Sequence, residues 1–303
     1  MLHQNAPILN EWKVDNLQPF DELIISWNAD FPNEGQFLFY VKVKINAWSP
    51  WLLYASWGSK ERSTFQSTSK EVPMRVFQDI VEVLEGEKAT GFQIKIETEG
   101  LCIINTIRSL HVYTNSNQSI ELQNNDYRLD SISLKVPGLS QMALNHTRNT
   151  ELCSPTSTTA VTQYLLDDYT IDPLHFAQHA WDSGFNIFGN WIFNIAQASI
   201  CLGHEWNCWV ERLNGFQEIY NYINEKIPVV VSVRGPLPGS AQPYSNGHLI
   251  VVIGYDSLNQ KVLCMDPAFP SDNETHVAYN LSDFVQAWNR RGNVAYIFKK
   301  NQK

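Results

Sequence analysis

Residues 152–160 read Leu152-Cys153-Ser154-Pro155-Thr156-Ser157-Thr158-Thr159-Ala160, a cysteine followed by a proline and a run without helix breakers. Proline suits the first turn of a helix because its missing N–H would have no partner there. The pattern predicts a helix over 156–168, with Cys153 at or just before its N-terminus. Unpaired backbone N–H groups and the positive end of the helix dipole would favour a thiolate there, and also an oxyanion formed beside the sulfur.

Three other residues have the chemistry and the position to act with Cys153. His248 begins the strongest apolar strand pattern in the second half of the chain, and Asp266 follows the next strand pattern. Because loop-adjacent strand ends often carry functional groups, two neighbouring strands would bring these side chains together. Gln141 lies a short way upstream of Cys153 and offers an amide donor.

These four residue types match the needs of nucleophilic catalysis. His248 would take the proton of the Cys153 thiol and later donate it to the leaving group. Asp266 would orient the imidazole and stabilise its protonated form. Gln141 and the Cys153 backbone N–H would form an oxyanion hole. The residues therefore predict a cysteine hydrolase that acts on peptide or amide bonds, without a metal or organic cofactor.

The composition sets the class of protein. The chain has 303 residues, 44% of them hydrophobic, and a formal net charge of −9. A chain of this length and apolar content can form two domains, each with its own core. No cluster of Lys and Arg suggests nucleic-acid binding, and no apolar run is long enough for a membrane span. The start, residues 1–7, lacks the pattern of a signal peptide. We therefore expect a cytoplasmic protein, or one exported without a visible signal.

The five cysteines are an odd number in a chain too long to need disulfide stapling. A disulfide framework is therefore not expected, and at least one thiol should be free.

The first part of the chain has strand patterns. Short alternating or apolar runs, separated by Pro, Gly and Asn, occur at residues 22–27, 36–45, 92–98 and 109–113. They predict an antiparallel β-sandwich of the jelly-roll kind over 1–114. The asparagine-rich stretch 115–132 lacks a sustained period and is interpreted as a linker.

The second part, 133–303, mixes helices and strands. Helices are predicted at 156–168, 173–181, 191–202, 215–225 and 281–288, and strands at 228–233, 248–255, 261–265 and 294–298. Helices first and strands later indicate an α+β domain.

At its candidate site residues the sequence resembles a known family. The matching segments are Gln141, Cys153-Ser154-Pro155-Thr156-Ser157, Gly247-His248 and Asp266-Pro267-Ala268. They look like the papain-like peptidase family C-39, best known for double-glycine, bacteriocin-processing peptidases. Stand-alone bacterial members are the closer match, because they share Gly189-Asn190-Trp191-Ile192-Phe193-Asn194 and, in an N-terminal β-domain, Ser26-Trp27-Asn28-Ala29 and Trp48-Ser49-Pro50-Trp51.

This resemblance implies a papain-like fold for 133–303 and a peptide or protein substrate. It also implies the same roles for Gln141, Cys153, His248 and Asp266. One departure is Ser154, where double-glycine peptidases typically carry glycine, so the same leader peptide need not bind. Those peptidases are also fused to a transporter, and leader cleavage during export is not carried over.

Two other functions remain open. The same thioester chemistry with an amine acceptor would give an acyltransferase or transglutaminase-like enzyme. A non-catalytic adaptor would only hold a peptide in the cleft.

The Pro-rich segment 234–247 before His248 is either a lid or an ordinary surface connection.

Two further groups have ligand-like residues, and a set of tryptophans invites a binding function. His175 and His179 share a helix face, and Cys201, His204 and Cys208 lie close in sequence, but both groups lack the spacing of a zinc motif. Surface or buried structural roles are the alternative. Four tryptophans of the first domain fit a glycan or surface ligand, or a sandwich core: Trp27, Trp48, Trp51 and Trp57.

Overall fold

The computed structural model describes residues 2–6, 10–32, 34–116 and 129–301. Its contacts divide the chain into two compact units, each formed from two segments. The first unit comprises 1–118 and 180–210, and the second comprises 119–179 and 211–303. Within the described residues, no helix is both long enough and apolar enough to cross a membrane.

The described part of the first unit contains ten strands and one α-helix. The strands are β1 (Leu2–Ala6), β2 (Glu11–Val14), β3 (Glu22–Ala29), β4 (Gln36–Lys44), β5 (Leu52–Gly58), β6 (Arg62–Thr68), β7 (Met74–Gln78), β8 (Ile80–Val83), β9 (Gly91–Glu99) and β10 (Ile107–Asn115). They pair antiparallel in the order β1-β10-β3-β8-β7-β6-β5-β4-β9-β2. The antiparallel β-domain that the strand patterns predict is therefore present, whereas its packing as a sandwich stays a prediction.

Burial explains why two of these strands have different sequence patterns. β4 alternates along its whole length, because its second, fourth, sixth and eighth residues point into the core and the others do not. β3 is buried at every position, so its sequence does not alternate, and its buried polar residues Ser26 and Asn28 form hydrogen bonds. Helix α3 (Trp191–Leu202) of the same unit packs against β3 and covers one face of this strand.

Side chains of β3 hold the segment Ala180–Val210 within the first unit. The Asn28 amide accepts a hydrogen bond from the Cys208 N–H at 2.7 Å and donates to the Cys208 carbonyl at 3.0 Å. Ser26 Oγ accepts from the Val210 N–H at 3.1 Å. Sequence alone placed this segment within the domain 133–303, whereas its contacts are with the β-strands. Most of the proposed linker, 115–132, lies outside the described residues.

The second unit carries the other elements of the chain. They are β11 (Ile132–Ser133), α1 (Cys153–Leu166), α2 (Pro173–Ala180), α4 (Phe216–Asn224), β13 (Val229–Val233), β14 (His248–Asp256), β15 (Lys261–Met265), β16 (His276–Asn280), α5 (Leu281–Asn289) and β17 (Val294–Lys300). Another strand, β12 (Trp206–Arg212), runs across the boundary between the units, and the last residue of α2 lies in the first unit. The five helices and four strands predicted within 133–303 are present, with α3 in the first unit, while β11, β12 and β16 were not anticipated.

An antiparallel sheet forms the centre of the second unit. Its strands pair in the order β17-β13-β14-β15-β16, with β11 on β14. Helix α1 packs on β13 and β14, and α4 and α5 also pack against this sheet. A buried helix against an antiparallel sheet fits the papain-like α+β fold that the sequence predicts.

Candidate active site

Cys153 is the first residue of α1, three positions before the predicted start of the helix. The Thr156 N–H closes the first turn by donating to the Leu152 carbonyl at 3.0 Å. Pro155 lies in this first turn, where a missing N–H has no cost. Cys153 is half-buried, and its sulfur accepts hydrogen bonds from the backbone N–H groups of Ser154 and Leu249.

The rest of α1 is packed into the protein. All ten residues from Ser154 to Gln163 are buried. Threonine hydroxyls donate to carbonyls four residues earlier, which satisfies them inside the helix: Thr158, Thr159 and Thr162. Ser157 Oγ donates to the Leu249 carbonyl of β14 at 3.0 Å, so the helix that carries Cys153 is fixed to the strand that begins with His248.

His248 lies between Cys153 and Asp266. Its Nε2 is 2.8 Å from Asp266 Oδ1, and the ring also hydrogen-bonds the Cys153 thiol. With Nε2 on the carboxylate, Nδ1 is the nitrogen that serves the sulfur. Asp266 directly follows β15, which pairs with β14. The structure thus brings the three residues together through two adjacent strands and a helix N-terminus.

Electrostatics favour the charged forms of this trio. Burial opposes ionisation of Cys153, but the hydrogen bond and charge of His248, together with the Leu249 and Ser154 N–H groups, lower the pKa of its thiol. Burial also opposes protonation of His248, yet the charge and hydrogen bond of Asp266 raise its pKa to about 10. Both shifts favour a thiolate on Cys153 and a protonated imidazole on His248.

Asp266 is fully buried and accepts four hydrogen bonds. Oδ1 accepts from His248 and, at 3.0 Å, from the Ala268 N–H. Oδ2 accepts from the Tyr244 hydroxyl at 2.7 Å and from the Tyr279 hydroxyl at 2.6 Å. Burial raises the pKa of Asp266, but His248 and these donors outweigh it and lower the pKa overall.

Sequence reasoning missed both tyrosines. Tyr244 lies four positions before His248, and this proximity is the one signal that could have marked it. Tyr279 lies in β16, a strand that the sequence pattern did not predict.

Gln141 is tied to the loop that follows Asp266. It begins a single 3-10 turn, capped by Ser140 Oγ, and its N–H donates to the Pro267 carbonyl at 2.9 Å. Its side chain is buried, and the amide oxygen has no hydrogen-bond partner among the described residues. The turn therefore holds an incompletely bonded amide beside the loop of Asp266.

Ser154 points away from the sulfur. Its buried hydroxyl lies 2.8 Å from the hydroxyl of Tyr296 on β17. The residue that departs from the double-glycine pattern is therefore a packing residue of the core.

The segment 234–247 is held at several points. Arg234 Nε donates to the Ser245 carbonyl at 2.9 Å, and the Gly235 N–H donates to the Tyr244 carbonyl at 3.2 Å. Arg290 donates to the Pro236 carbonyl at 3.0 Å. These bonds favour a fixed connection over a lid.

The ligand-like residues elsewhere have other contacts. His204 lies 3.3 Å from Asp30, Cys208 is buried, and the imidazoles of His175 and His179 contact each other. No group of three His, Cys, Asp or Glu residues in the described ranges is arranged to hold a metal ion.

The four tryptophans of the first unit divide into two pairs. Trp27 and Trp57 are core residues, and Trp27 stacks on Phe39 with centroids 4.1 Å apart. Trp48 and Trp51 are half-buried, and the Lys42 ammonium lies over both rings, 5.4 and 4.5 Å from the centroids.

Comparison with known families identifies the second part of the chain. The model of the Peptidase_C39 like family matches residues 133–296, more than half of the 303 residues. The chain belongs to this family. The matched range contains Gln141, Cys153, His248 and Asp266, and family membership indicates a cysteine peptidase-like hydrolase.

Two other comparisons add little to this assignment. The C-39-like protein is similar to a solved structure from Bacillus anthracis described as a C39-like peptidase, at 21% identity and a TM-score of 0.43. That likeness covers 57% of this chain and 100% of the other. No curated protein matches the chain. Details of the site therefore rest on its own geometry.

Proposed function

We propose that this protein is a cysteine hydrolase that cleaves peptide or amide bonds with Cys153, His248 and Asp266. One observation carries the proposal: a half-buried thiol at a helix N-terminus hydrogen-bonds a histidine whose other nitrogen lies 2.8 Å from a buried carboxylate. The helix terminus and the imidazolium both favour the thiolate, which is the form that attacks a carbonyl.

In the proposed cycle, the Cys153 sulfur forms a bond to the scissile carbonyl carbon, and the carbonyl electron pair moves to oxygen. The intermediate collapses, the C–N bond breaks, and His248 donates its proton to the departing amine. Water then attacks the thioester while His248 takes its proton, and cleavage of the S–C bond releases the acid. Asp266 keeps the imidazole oriented throughout.

Gln141 and the Cys153 N–H are the proposed donors to the oxyanion. The position of Gln141 supports this role, because its buried side chain is fixed beside the loop of Asp266 and its amide nitrogen is a hydrogen-bond donor. Its amide nitrogen would face the oxyanion.

Selective labelling tests the nucleophile. We expect iodoacetamide at pH 6 to alkylate Cys153 before the other four cysteines, because only its thiol has a lowered pKa. Cys201 is the internal control: it is also half-buried, but burial raises the pKa of its thiol. Peptide mass spectrometry gives the site of alkylation.

Equal labelling of Cys153 and Cys201 would contradict the proposal. A His248→Ala variant should slow alkylation of Cys153 at pH 6 by at least about tenfold, since its thiolate loses the imidazolium partner.

Hydrolysis and acyl transfer proceed through the same thioester. They differ in the molecule that accepts the acyl group, which is water in hydrolysis and an amine in acyl transfer. Incubation of a peptide library with and without a primary amine shows whether the products are acids or amides. An adaptor would give no Cys153-dependent product, which a Cys153→Ala control would reveal.

For the first unit we propose a β-sandwich whose outer face includes Trp48 and Trp51. A glycan or other surface ligand there is the second candidate function. The Lys42 ammonium covers both rings, so a ligand has to displace it or bond to it. Binding to immobilised polysaccharides that is lost in a Trp51→Ala variant, but kept in Trp12→Ala, would support a ligand at this face.

A further inference from the structure

The carboxylate of Asp266 has a second side that the proposed reaction does not use. Oδ1 faces His248, whereas Oδ2 accepts hydroxyl hydrogen bonds from Tyr244 and Tyr279 at 2.7 and 2.6 Å. An ionised carboxylate has about four acceptor positions, and all four are occupied here. The orientation of the carboxylate is therefore set from both sides.

Tyr244 also covers the histidine. Its ring stacks on the imidazole of His248, with centroids 4.0 Å apart and planes inclined by 20°. The tyrosine side chain and the imidazole are both buried, so water is kept away from this face of the His248–Asp266 pair. One residue thus contacts both members of the pair.

The backbone of Tyr244 is held in an unfavourable conformation. Its φ is +50°, a region that L side chains other than Asn and Asp rarely adopt. Its carbonyl accepts hydrogen bonds from the N–H groups of Gly235 and Gly247, which fix this conformation. A large residue kept at positive φ next to a catalytic histidine indicates that its side chain has a role there.

Tyr279 reaches the same oxygen from another element. It lies in β16, where it pairs with Val262 of β15, and it is 1% exposed. Burial first, and then the charge of Asp266, raise the pKa values of both phenols far above the ordinary value. Both tyrosines therefore remain hydrogen-bond donors over the working pH range.

We propose that Tyr244 and Tyr279 are positioning residues for the His248–Asp266 pair. They hold Oδ1 toward Nε2 of the imidazole, and they stabilise the buried negative charge. This inference rests on the proposed function, because it assigns both tyrosines to the site of the cysteine nucleophile.

Removal of either hydroxyl should change the titration of the site in a known direction. Asp266 loses a donor to its charged form, so its pKa rises. Its less compensated charge also disfavours the nearby Cys153 thiolate, so the pKa of that thiol rises as well. Among the described residues, the second tyrosine and Cys264 on β15 are further titratable groups beside the pair. The alkylation rate of Cys153 rises with pH as the thiolate forms, and this rise is the acid limb of its pH profile. Both effects move the acid limb to higher pH.

The test uses the full chain with the substitutions Tyr244→Phe and Tyr279→Phe, which keep the rings and remove only the hydroxyls. The rate of Cys153 alkylation by iodoacetamide is measured from pH 3 to pH 10 by mass spectrometry. We expect each variant to shift the acid limb upward by roughly 0.5–1 pH unit. Tyr54→Phe is the matched control, because Tyr54 is a buried tyrosine of the first unit that donates to the Asp79 carbonyl.

The outcomes are distinct. Variants with the wild-type acid limb, or an equal shift in Tyr54→Phe, would show that the tyrosines are only structural. A wild-type protein whose Cys153 reacts only above pH 8, like an ordinary thiol, would instead overturn the proposed function. Should one variant fail to fold, the other tests the same oxygen from a different element.

Discussion

Ser154 shows how one side chain can depart from a family pattern without entering the site. Its hydroxyl is buried and pairs with Tyr296, while its backbone N–H contributes to the Cys153 thiolate. The N–H is common to serine and glycine. The departure therefore concerns the stability of α1 rather than the chemistry of the sulfur.

We predict that Ser154→Gly lowers the free energy of unfolding by roughly 1.5–3 kcal/mol, because a buried hydrogen bond is lost and glycine weakens a helix. The pH profile of Cys153 alkylation should stay as in the wild type. Urea unfolding measures the first effect. Ser154→Ala is the control, since it removes the hydrogen bond but keeps the helix propensity. An altered alkylation profile in both variants would give Ser154 a role in the chemistry.

At the scale of elements, the turn into β14 sets the position of His248. Gly247, directly before the histidine, has φ +99°, and its N–H donates to the Tyr244 carbonyl. Residues with a side chain rarely adopt this backbone conformation, so the turn requires glycine for its φ value. Space for a Cβ atom is not the reason, because the nearest atom would lie 3.4 Å away. The turn places Tyr244 and His248 close enough to stack.

We predict that Gly247→Ala destabilises the protein by about 1–2 kcal/mol and slows alkylation of Cys153, because the strained turn displaces His248. Gly189→Ala is the matched control: an added Cβ there meets no atom within 4 Å. Gly189→Ala should change the free energy of unfolding by less than about 0.5 kcal/mol. Equal unfolding free energies for the two variants would show that the turn tolerates a side chain.

At the scale of the whole molecule, the second unit assembles the site from two distant segments of the chain. Gln141 and Cys153 come from 119–179, and His248 and Asp266 come from 211–303. His248 and Asp266 both lie in the second of these segments, and their ion pair is buried within the folded unit. The pH dependence of stability should therefore carry the signature of this pair.

The pKa shifts define the pH window of that signature. Asp266 has a lowered pKa, so its contribution to stability is present above about 3.8 and is lost in acid. His248 has a raised pKa, so its contribution is full below 6.5 and is lost as the pH rises toward about 10. The pair stabilises the fold most between these two limits, from about pH 4 to 6.5.

We predict that the difference in unfolding free energy between the wild type and His248→Gln is largest in this window. It should shrink by at least about 1 kcal/mol between pH 6.5 and pH 10. Urea unfolding at a series of pH values checks it. His175→Gln, which replaces an exposed histidine of the second unit, is the control variant. A difference that grows with pH would contradict the assigned shifts.

Much of the local structure could be read from sequence, because it follows from local rules. The alternation of β4, the apolar run of β14 and the helix after Pro155 all follow from side-chain period and backbone preference. The four candidate site residues were proposed from their chemistry and from their place at strand and helix ends. Family resemblance added the expected papain-like fold, and the family match supports it.

Only the tertiary structure decided which distant residues meet. No local rule brings Tyr244 and Tyr279 to one oxygen of Asp266, because those contacts depend on strand pairing and on β16, whose pattern is weak. The same holds for the segment Ala180–Val210. Sequence order assigns it to the peptidase domain, whereas hydrogen bonds with Asn28 hold it to the β-strands of the first unit. Periodicity reports which face of an element is buried, whereas the partner on that face is determined by the fold.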